Sequence, residues 1–385
     1  MQNIFLIGSR GIPLNYGGYE TFVQKLTEYH QNDKEIQYYV ACQNFDKEEF
    51  IFQNARCFNV QVPNIGSAKA VLYDYLAVKK ALKYIQENHL KNATIYICTC
   101  RIGLFIRHLK HKMKILSCTY MLNPDGHEWK RAKWNWAIRK YWKFSEARMV
   151  KYADTIVCDS FEIEKYILSE YPRTKERTIV IAYGADLRAP LPLGKSTEDW
   201  FTKFQIVPGQ YYISVGRFVP ENNLEIMLRE FCASDSQKDF VVVTDYEDNK
   251  FYKHLQKTTG FQKDPRVKFV GPVYDRELLK HIRRNAFAYF HGHEVGGTNP
   301  SLLEAMADSC FVLAIDVCFS REVLANNGFF FRKDVGSLHR IIAQCEQLPK
   351  DQYEQICRKN RSRLEEYYSW PRIAQQYKDL FERVK

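Results

Sequence analysis

Residues 291–306 read HGHEVGGTNPSLLEAM, and this stretch decides the expected fold of the chain. A short β-prone run comes directly before it, and the pair Gly296-Gly297 leads into a helical pattern. Asn299 is a typical N-cap and Pro300 suits the first helical position. The stretch therefore predicts a strand–turn–helix unit of a parallel α/β sheet, with a glycine-rich turn at the carboxyl end of the strand.

The same turn predicts an anion site. Free N–H groups near Thr298 and Ser301 lie at the positive end of the helix, where they can point at a diphosphate. Glu304 lies one turn further, and its carboxylate can accept a hydrogen bond from a sugar hydroxyl. Upstream, Arg217 ends the strand-like run SVGR, and an arginine at the carboxyl end of a strand can pair with a phosphate through its planar fork.

A second glycine-rich turn follows the first predicted strand, at residues 8–18. The glycines of this turn permit close approach to the backbone. A helix is expected to start near residue 19. The pattern is not GxGxxG, because Arg10 stands at the second glycine, so a nicotinamide enzyme is disfavoured. The residues that we expect to line a cleft here are Gly11, Gly17, Gly18 and Glu20.

β-prone runs alternate with helical segments along both halves of the chain, which predicts an α/β protein with two doubly wound domains. A stretch that contains Pro and Gly, and in which apolar residues recur with no clear period, separates the two halves. We place an N-terminal domain at 1–187, a C-terminal domain at 188–368, and a last helix, opened by Trp370-Pro371, at 369–385.

Composition indicates which class of partner the protein binds and in which cellular compartment it folds. The chain has 385 residues and a formal net charge of +11, which favours an anionic partner such as phosphate, nucleic acid or an acidic membrane surface. The 11 cysteines are odd in number and lie mostly in apolar runs, as in a reduced, cytosolic protein. No apolar run approaches the about 18 residues of a membrane-spanning helix, and we see no signal peptide.

Polar residues follow two predicted strands of the first half and are candidates for catalysis. Asp125, His127 and Glu128 come after one strand and can bind an acceptor or take the proton of an attacking hydroxyl. Asp159 ends another strand, and Tyr166 lies two helical turns later on the same face. Each of these residues, taken singly, is also compatible with a structural role, as a helix cap or in the core.

The segment 129–151 combines many cations and aromatic rings with the single acid Glu146. Such a segment can lie on an anionic membrane, with the rings at the level of the headgroups. A basic run is also compatible with a solvated face. The expected membrane contacts are Trp134, Trp136, Trp142, Lys133, Arg139, Lys140 and Lys143.

Taken together, these motifs resemble GT-B glycosyltransferases of family 4 over essentially the whole chain. The stretches IGSRGIP (7–13), YGGYETF (16–22), DGHEW (125–129) and GRFVPENN (216–223) are similar to bacterial rhamnosyltransferases of streptococcal capsule and cell-wall polysaccharide synthesis. The resemblance implies two Rossmann-like domains that face a central cleft, with the last helix returning to the N-terminal domain, and transfer with retention.

The resemblance also implies roles for residues of the second half. Arg217 would bind the donor diphosphate and Glu304 the nucleotide ribose, whereas Gly296, Gly297, Thr298 and Asn299 would surround the phosphates and the sugar. The sequence departs from the family pattern twice. Asn222 stands where a second cation, a lysine, is usual, and Gly296 stands where the first of two glutamates is usual, with Glu294 two residues earlier.

The expected activity is transfer of L-rhamnose from dTDP-rhamnose to a lipid-diphosphate-linked sugar, such as GlcNAc or glucose, at the inner face of the cell membrane. No cofactor or metal is expected beside the nucleotide-sugar, and no nucleic acid. One alternative is a family 4 enzyme that uses UDP-glucose, UDP-galactose or a similar donor. Another is a protein without enzymatic activity that binds nucleic acid or lipid.

Overall fold

A computed structural model describes residues 1–13, 17–131, 134–189, 191–192, 194–308 and 311–383. The expected membrane contact Lys133 lies outside these residues. The chain divides into two compact units. The first comprises Met1–Gly184, Gly296–Thr298 and Trp370–Lys385, and the second comprises Ala185–Val295 and Asn299–Ser369.

In the described part of the first unit, eight strands form one sheet in the order β3-β4-β2-β1-β5-β6-β7-β8. The strands are β1 (Gln2–Ile7), β2 (Ile36–Gln43), β3 (Glu49–Phe52), β4 (Ala55–Val60), β5 (Ala93–Cys98), β6 (Thr119–Asn123), β7 (Thr155–Cys158) and β8 (Thr178–Val180). All neighbours are parallel except β3 and β4, which form an antiparallel pair.

The helices of this unit connect the strands. They are α1 (Gly18–Tyr29), α2 (Lys69–Glu87), α3 (Ile106–Ile115), α4 (Trp136–Tyr152) and α5 (Phe161–Glu170). All six residues of β1 and of β5 are buried, which is why apolar residues follow one another at 4–7 and 95–98 instead of alternating with polar ones. Because the strands run parallel, the loops that follow them gather at one edge of the sheet.

In the second unit, the described strands form a parallel sheet of six in the order β11-β10-β9-β12-β13-β14. They are β9 (Tyr211–Val215), β10 (Asp239–Val243), β11 (Val267–Phe269), β12 (Ala288–His291), β13 (Phe311–Ile315) and β14 (Phe329–Phe331). The helices are α6 (Lys195–Phe204), α7 (Leu224–Cys232), α8 (Lys250–Thr259), α9 (Arg276–Arg284), α10 (Pro300–Ala307), α11 (Cys318–Leu324), α12 (Ser337–Glu346) and α13 (Lys350–Tyr367).

Both sheets reverse their strand order next to their first strand. In the second unit the reversal lies between β9 and β12, and in the first unit it lies between β1 and β5. In open α/β sheets, ligands bind outside the carboxyl ends of the strands at such a switch point. The predicted α/β class, with two Rossmann-like parallel sheets, is confirmed.

The last helix, α14 (Trp370–Arg383), belongs to the first unit, where it packs against α1. The fully buried ring of Tyr377 lies 5.2 Å from the ring of Phe22, and its hydroxyl bonds Tyr96 Oη at 3.0 Å. His30 reaches the main-chain oxygen of Ala374 at 3.1 Å. The expectation that the last helix returns to the N-terminal domain is therefore met.

Replacing Tyr377 tests this packing. Tyr377→Ala leaves a cavity and should lower the free energy of unfolding of the first unit by about 3 to 5 kcal/mol. Tyr377→Phe removes only the hydroxyl and should cost about 1 kcal/mol. Urea denaturation followed by fluorescence measures both changes, and Tyr367→Ala, at a side chain that is 45% exposed in α13, serves as control. Equal costs for Tyr377→Ala and the control would contradict this account.

Candidate functional site

Arg217 lies at the switch point of the second unit, two residues after the end of β9. Its side chain is exposed, and among the described residues no carboxylate is within salt-bridge distance of its guanidinium. A cation left accessible at the carboxyl edge of a parallel sheet is suited to an anionic ligand. The structure thus places Arg217 where the sequence predicted it.

Two asparagines join the loop after β9 to the loop after β12. Asn222 Nδ2 donates to the main-chain oxygen of Arg217 at 2.8 Å, and Asn222 Oδ1 lies 2.9 Å from His293 Nδ1. Asn223 Nδ2 donates to the main-chain oxygen of Gly292 at 2.8 Å. A Cβ at residue 292 would lie 2.1 Å from the main-chain oxygen of Asn222, so the close approach of the two loops requires glycine at this position. Asn222 therefore fixes the backbone that carries Arg217.

Glu294 is held in the same region by two partners. Its Oε2 accepts from Asn223 Nδ2 at 3.1 Å and pairs with Lys333 Nζ at 2.5 Å. Lys333 follows β14 and is more than half exposed. Glu294 thus bridges three loops of the second unit, and Lys333 brings a further cation to its neighbourhood.

Glu304 is oriented by a buried arginine of α9. Arg283, which is 4% exposed, donates from Nη1 to Glu304 Oε2 at 2.9 Å and from Nε to Asp308 Oδ2 at 2.6 Å. Burial opposes the charge, but the two carboxylates outweigh it and hold the pKa of Arg283 above its ordinary value. The Glu304 side chain is 42% exposed, so its carboxylate is both anchored and open to a ligand.

The start of α10 has the predicted cap. Asn299 Oδ1 accepts from Ser301 N at 2.9 Å and from Ser301 Oγ at 2.8 Å, and Pro300 is the first helical residue. The three residues before Asn299 are grouped with the first unit. Within that unit, Thr298 Oγ1 donates to the main-chain oxygen of Asp159 at 2.5 Å, and Gly296 and Gly297 are buried.

In the first unit, the glycine loop after β1 is held by Glu20. Glu20 Oε1 accepts from Arg10 N at 2.8 Å and from Arg10 Nε at 3.3 Å. Gly17 lies beside this carboxylate as the N-cap of α1, and Gly18 is the first, exposed residue of that helix. Gly11 packs against Cys42 of β2. The structure thus gives Glu20 a role in shaping the loop.

Asp125 and Asp159 follow the neighbouring strands β6 and β7. Asp125 is half-buried with a φ of 57°, its N–H donates to Asn123 Oδ1 at 2.9 Å, and its Oδ1 accepts from Gly126 N at 2.9 Å. Asp159 is buried, and the next residue, Ser160, caps α5. The two carboxylates therefore come from adjacent loops at one sheet edge.

The His127 ring packs against the Tyr166 ring, with the centroids 4.1 Å apart and the planes tilted by 58°. Burial, followed by the charges of Lys130 and Lys143, lowers the pKa of His127 to about 4, so its imidazole is neutral at pH 7. The Tyr166 hydroxyl donates to Glu146 Oε1 at 2.6 Å and accepts from Lys143 Nζ at 2.5 Å.

Buried Glu146 is the centre of that network. Its Oε1 also accepts from the Tyr171 hydroxyl at 2.7 Å and from Lys143 Nζ at 3.1 Å, and Lys143 pairs with Glu170 at 2.9 Å. Burial opposes the charge of Lys143, but its hydrogen bonds and the carboxylates raise its pKa above the ordinary value. The structure thus places Lys143, an expected membrane contact, in an internal network of charged and aromatic groups.

The remaining expected membrane contacts differ in exposure. Trp134 Nε1 donates to Glu128 Oε1 at 3.0 Å, so Glu128 holds the segment before α4. Trp142 is half-buried, with its ring 6.1 Å from that of Trp134, and Arg139 is also half-buried. Trp136 is 71% exposed, and Lys140 Nζ lies 4.8 Å above its ring.

Sequence reasoning missed several charged groups of these sites. They are Glu146 in the first unit and Arg283 and Asp308 in the second. Only the position of Glu146, as the single acid of the basic segment 129–151, could have indicated its role from the sequence. Within the described residues, no cluster of three His, Cys, Asp or Glu side chains is arranged to hold a metal ion.

Comparisons with known proteins agree with this geometry. Residues 1–186 match the family described as "Domain of unknown function (DUF1972)", and residues 196–366 match "Glycosyl transferases group 1". A "Probable sucrose-phosphate synthase" of Thermosipho melanesiensis is 25% identical over 253 residues, which are 62% of this chain and 56% of that protein. The chain thus spans little more than half the length of this curated relative.

Solved structures resemble the whole chain. A sucrose-phosphate synthase from Thermosynechococcus elongatus has a TM-score of 0.80 at 17% identity, covering 100% of this chain and 99% of that one. A glycosyltransferase from Rickettsia africae has a TM-score of 0.75 at 14% identity, covering 100% and 98%. Anabaena Alr3699/HepE in complex with UDP-glucose has a TM-score of 0.73 at 15% identity, covering 99% of each chain.

The fold is therefore GT-B. At the level of families, these findings support a group 1 glycosyltransferase, with residues 196–366 similar to glycosyl transferases group 1 and residues 1–186 similar to DUF1972.

His291, at the end of β12, provides a pH test of the second unit. The buried ring is 3% exposed, and burial, followed by the charge of His293, lowers its pKa to about 3. The folded chain then binds fewer protons than the unfolded chain, so the stability from neutral His291 is present above pH about 6.5 and is lost as the pH falls towards 3. Urea denaturation from pH 7.5 to 4 should show wild type losing up to about 1.4 kcal/mol per pH unit relative to His291→Phe. Parallel curves would contradict this pKa shift.

Proposed function

We propose that the chain transfers a sugar from a nucleotide-sugar to an acceptor hydroxyl, with retention, and that the second unit binds the donor. The observation that carries the proposal is the anchored Glu304 carboxylate in the capped helix α10, in the same unit whose sheet presents the exposed Arg217 at its switch point. A carboxylate accepts hydrogen bonds from ribose hydroxyls, and a guanidinium neutralises a diphosphate. The match of residues 196–366 to glycosyl transferases group 1 supports this assignment.

For the departing diphosphate, the second unit offers Arg217 and the positive dipole end of α10. The expected N–H group of Ser301 is not free for a ligand, because it is bonded to Asn299 Oδ1. Asn222 cannot supply a second positive charge. It supports Arg217 instead, because it binds the Arg217 main chain and His293 together. Charge on the leaving group is thus stabilised by one cation and by oriented backbone dipoles.

For the donor, we propose dTDP-L-rhamnose. The support is the resemblance of the stretches at 7–13, 16–22, 125–129 and 216–223 to bacterial rhamnosyltransferases. UDP-glucose is the second candidate donor, since Anabaena Alr3699/HepE, of similar fold, has been solved with UDP-glucose. Both donors present a diphosphate and a ribose-like ring to the same residues.

For the acceptor, we propose a sugar linked to a lipid diphosphate, bound by the first unit. Asp125 and Asp159 bring two carboxylates to neighbouring loops, and either can take the proton of the attacking hydroxyl. His127 is neutral at pH 7 and is suited to hydrogen bonding with a sugar. Glu128 and Tyr166 are engaged with Trp134 and Glu146, and we propose that they position the loop that carries His127.

For the location, we propose the cytoplasmic face of the cell membrane, reached through α3 and α4. None of the described helices has the length and apolar character needed to cross a bilayer. The exposed face of α4 presents Trp136, Lys140 and Phe144 four residues apart, and the stretch from residue 99 to 124, which includes α3, contains cations and no acid. Rings and cations on one surface suit anionic headgroups.

A transfer assay tests the function. Purified protein is incubated with a synthetic lipid-diphosphate-GlcNAc or lipid-diphosphate-glucose and, in turn, dTDP-rhamnose, UDP-glucose, UDP-galactose or GDP-mannose, and the product mass is measured. A mass increase of one deoxyhexose with dTDP-rhamnose alone supports the proposal, whereas a hexose added from a UDP-sugar supports the second candidate. No product with any pair contradicts both.

Arg217→Ala should weaken binding of the donor's nucleoside diphosphate about 10-fold or more, because two charge-assisted hydrogen bonds to phosphate are lost. Calorimetric titration measures the affinity. Arg276→Ala, at an exposed arginine in the first turn of α9, removes the same charge from the same unit and should leave affinity within about two-fold. Equal affinity of Arg217→Ala and wild type would remove Arg217 from the donor site.

Trp136→Ser should lower binding to vesicles that contain anionic lipid, because the side chain is exposed and supplies apolar contact without serving the core. Turnover on a water-soluble acceptor should stay unchanged. Trp142→Ser, at the half-buried ring, is the comparison and should lower stability instead. Unchanged vesicle binding by Trp136→Ser would contradict the membrane surface on α4.

A further inference from the structure

The first unit has a switch point of its own, between β1 and β5. The proposed function gives roles to Asp125 and Asp159, which follow β6 and β7, and to no residue of the loops after β1 and β5. The loop after β1 begins at Gly8, and the loop after β5 runs through Thr99 to Arg101. A Cβ at Gly8 would lie 2.3 Å from the main-chain oxygen of Cys98, so the two strand ends approach too closely for a side chain. In open α/β sheets, ligands bind in the crevice outside the carboxyl ends of the strands at the switch point.

Arg101 is anchored at this point by three contacts. Its Nη1 donates to the main-chain oxygen of Gly8 at 3.0 Å and pairs with Asp74 Oδ2 at 3.2 Å. Its own main-chain oxygen accepts from the Tyr141 hydroxyl at 2.6 Å. Asp74 is fully buried, so it holds the guanidinium from inside the protein.

The guanidinium has two further nitrogens, Nε and Nη2. Arg101 is 22% exposed, and within the part of the chain that the structure describes, no acceptor is bonded to Nε or Nη2. Nearby, Thr99 has a φ of 126°, which is a strained conformation for a β-branched residue. Thr99 Oγ1 also reaches Asp74 Oδ2 at 3.4 Å. The loop is thus held in an unfavourable backbone conformation beside Arg101 and its buried partner.

A structural role alone does not account for this arrangement. Burying a carboxylate with one arginine costs desolvation energy that the pair repays only with good geometry, and apolar replacements are often as stable. Among the described residues, the hydrogen bonds of the guanidinium all come from Nη1, which leaves Nε and Nη2 available as a planar fork. Preorganised cations of this kind are suited to bidentate binding of phosphate.

We propose that Arg101, oriented by Asp74 and the Gly8 carbonyl, binds a diphosphate group at the switch point of the first unit. This inference rests on the proposed function, in which two diphosphates take part. One belongs to the lipid-linked acceptor and the other to the nucleotide-sugar donor. The guanidinium chemistry is the same for both, so the experiment is arranged to distinguish them.

The experiment measures two affinities in the full-length chain by calorimetric titration, one for geranyl diphosphate and one for the nucleoside diphosphates dTDP and UDP. Arg101→Gln should weaken one of the two affinities about 10-fold or more. Arg173→Gln, at an exposed arginine of the same unit, removes the same charge and should change both by less than about two-fold. Thermal unfolding of each variant verifies that it is folded.

Loss of geranyl diphosphate binding alone supports the acceptor as the source, and loss of dTDP or UDP binding alone supports the donor. Loss of both supports a site that takes either diphosphate, and a wild type that binds none of the three ligands overturns the proposal. Unchanged affinities for all three ligands overturn the proposal. If Arg101→Gln does not fold, Arg101→Lys replaces it, since it keeps the charge and loses the fork, and affinities equal to those of wild type would then overturn it.

The result is separable from that of the proposed function. If wild type binds geranyl diphosphate through Arg101 but transfers no sugar in the donor panel, the function fails and the diphosphate site stands. If transfer occurs and Arg101→Gln leaves every affinity unchanged, the function stands and the diphosphate site fails.

Discussion

A single buried guanidinium organises the second unit. Arg283 is almost completely removed from water, so its charge must be met by carboxylates, and Asp308 and Glu304 meet it from one helix. The geometry ties α9 to α10 and leaves Glu304 at the surface with a fixed orientation. A carboxylate held before a ligand arrives loses little conformational entropy on binding, which is the general advantage of preorganised sites.

Each unit places an arginine beside its switch point, in the second unit after the first strand of the sheet and in the first unit after the strand that neighbours it. Arg217 follows β9, which neighbours β12 at the switch point of the second sheet, and Arg101 follows β5, which neighbours β1 at that of the first. Their environments differ. Arg217 is exposed, and Asn222 binds its main-chain oxygen, whereas the guanidinium of Arg101 is held by the buried Asp74. We infer that the first is adaptable and the second is rigid.

The sequence predicts much of this arrangement and misses a definable part. Local signals sufficed for the two parallel sheets and for the Asn299-Pro300 helix start, because they depend on periodicity and caps. Arg283 was missed because its partners lie 21 and 25 residues away, a distance that no local pattern reveals. Lys143 was expected at a membrane for a related reason, since composition does not show that Tyr166 and Glu170, from outside α4, bind this side chain. The exposed face instead presents Trp136 and Lys140.

The central claim is that the second unit binds a nucleoside diphosphate through Glu304. The most direct test is the melting temperature of the chain with dTDP, UDP, GDP or ADP, because a ligand of the native state raises it. We predict a rise with dTDP that is lost in Glu304→Ala and kept in Glu354→Ala, a control at a partly exposed glutamate that also pairs with an arginine. A rise with UDP alone would favour the UDP-sugar donor. No rise with any nucleotide, or a rise that persists in Glu304→Ala, would contradict the account.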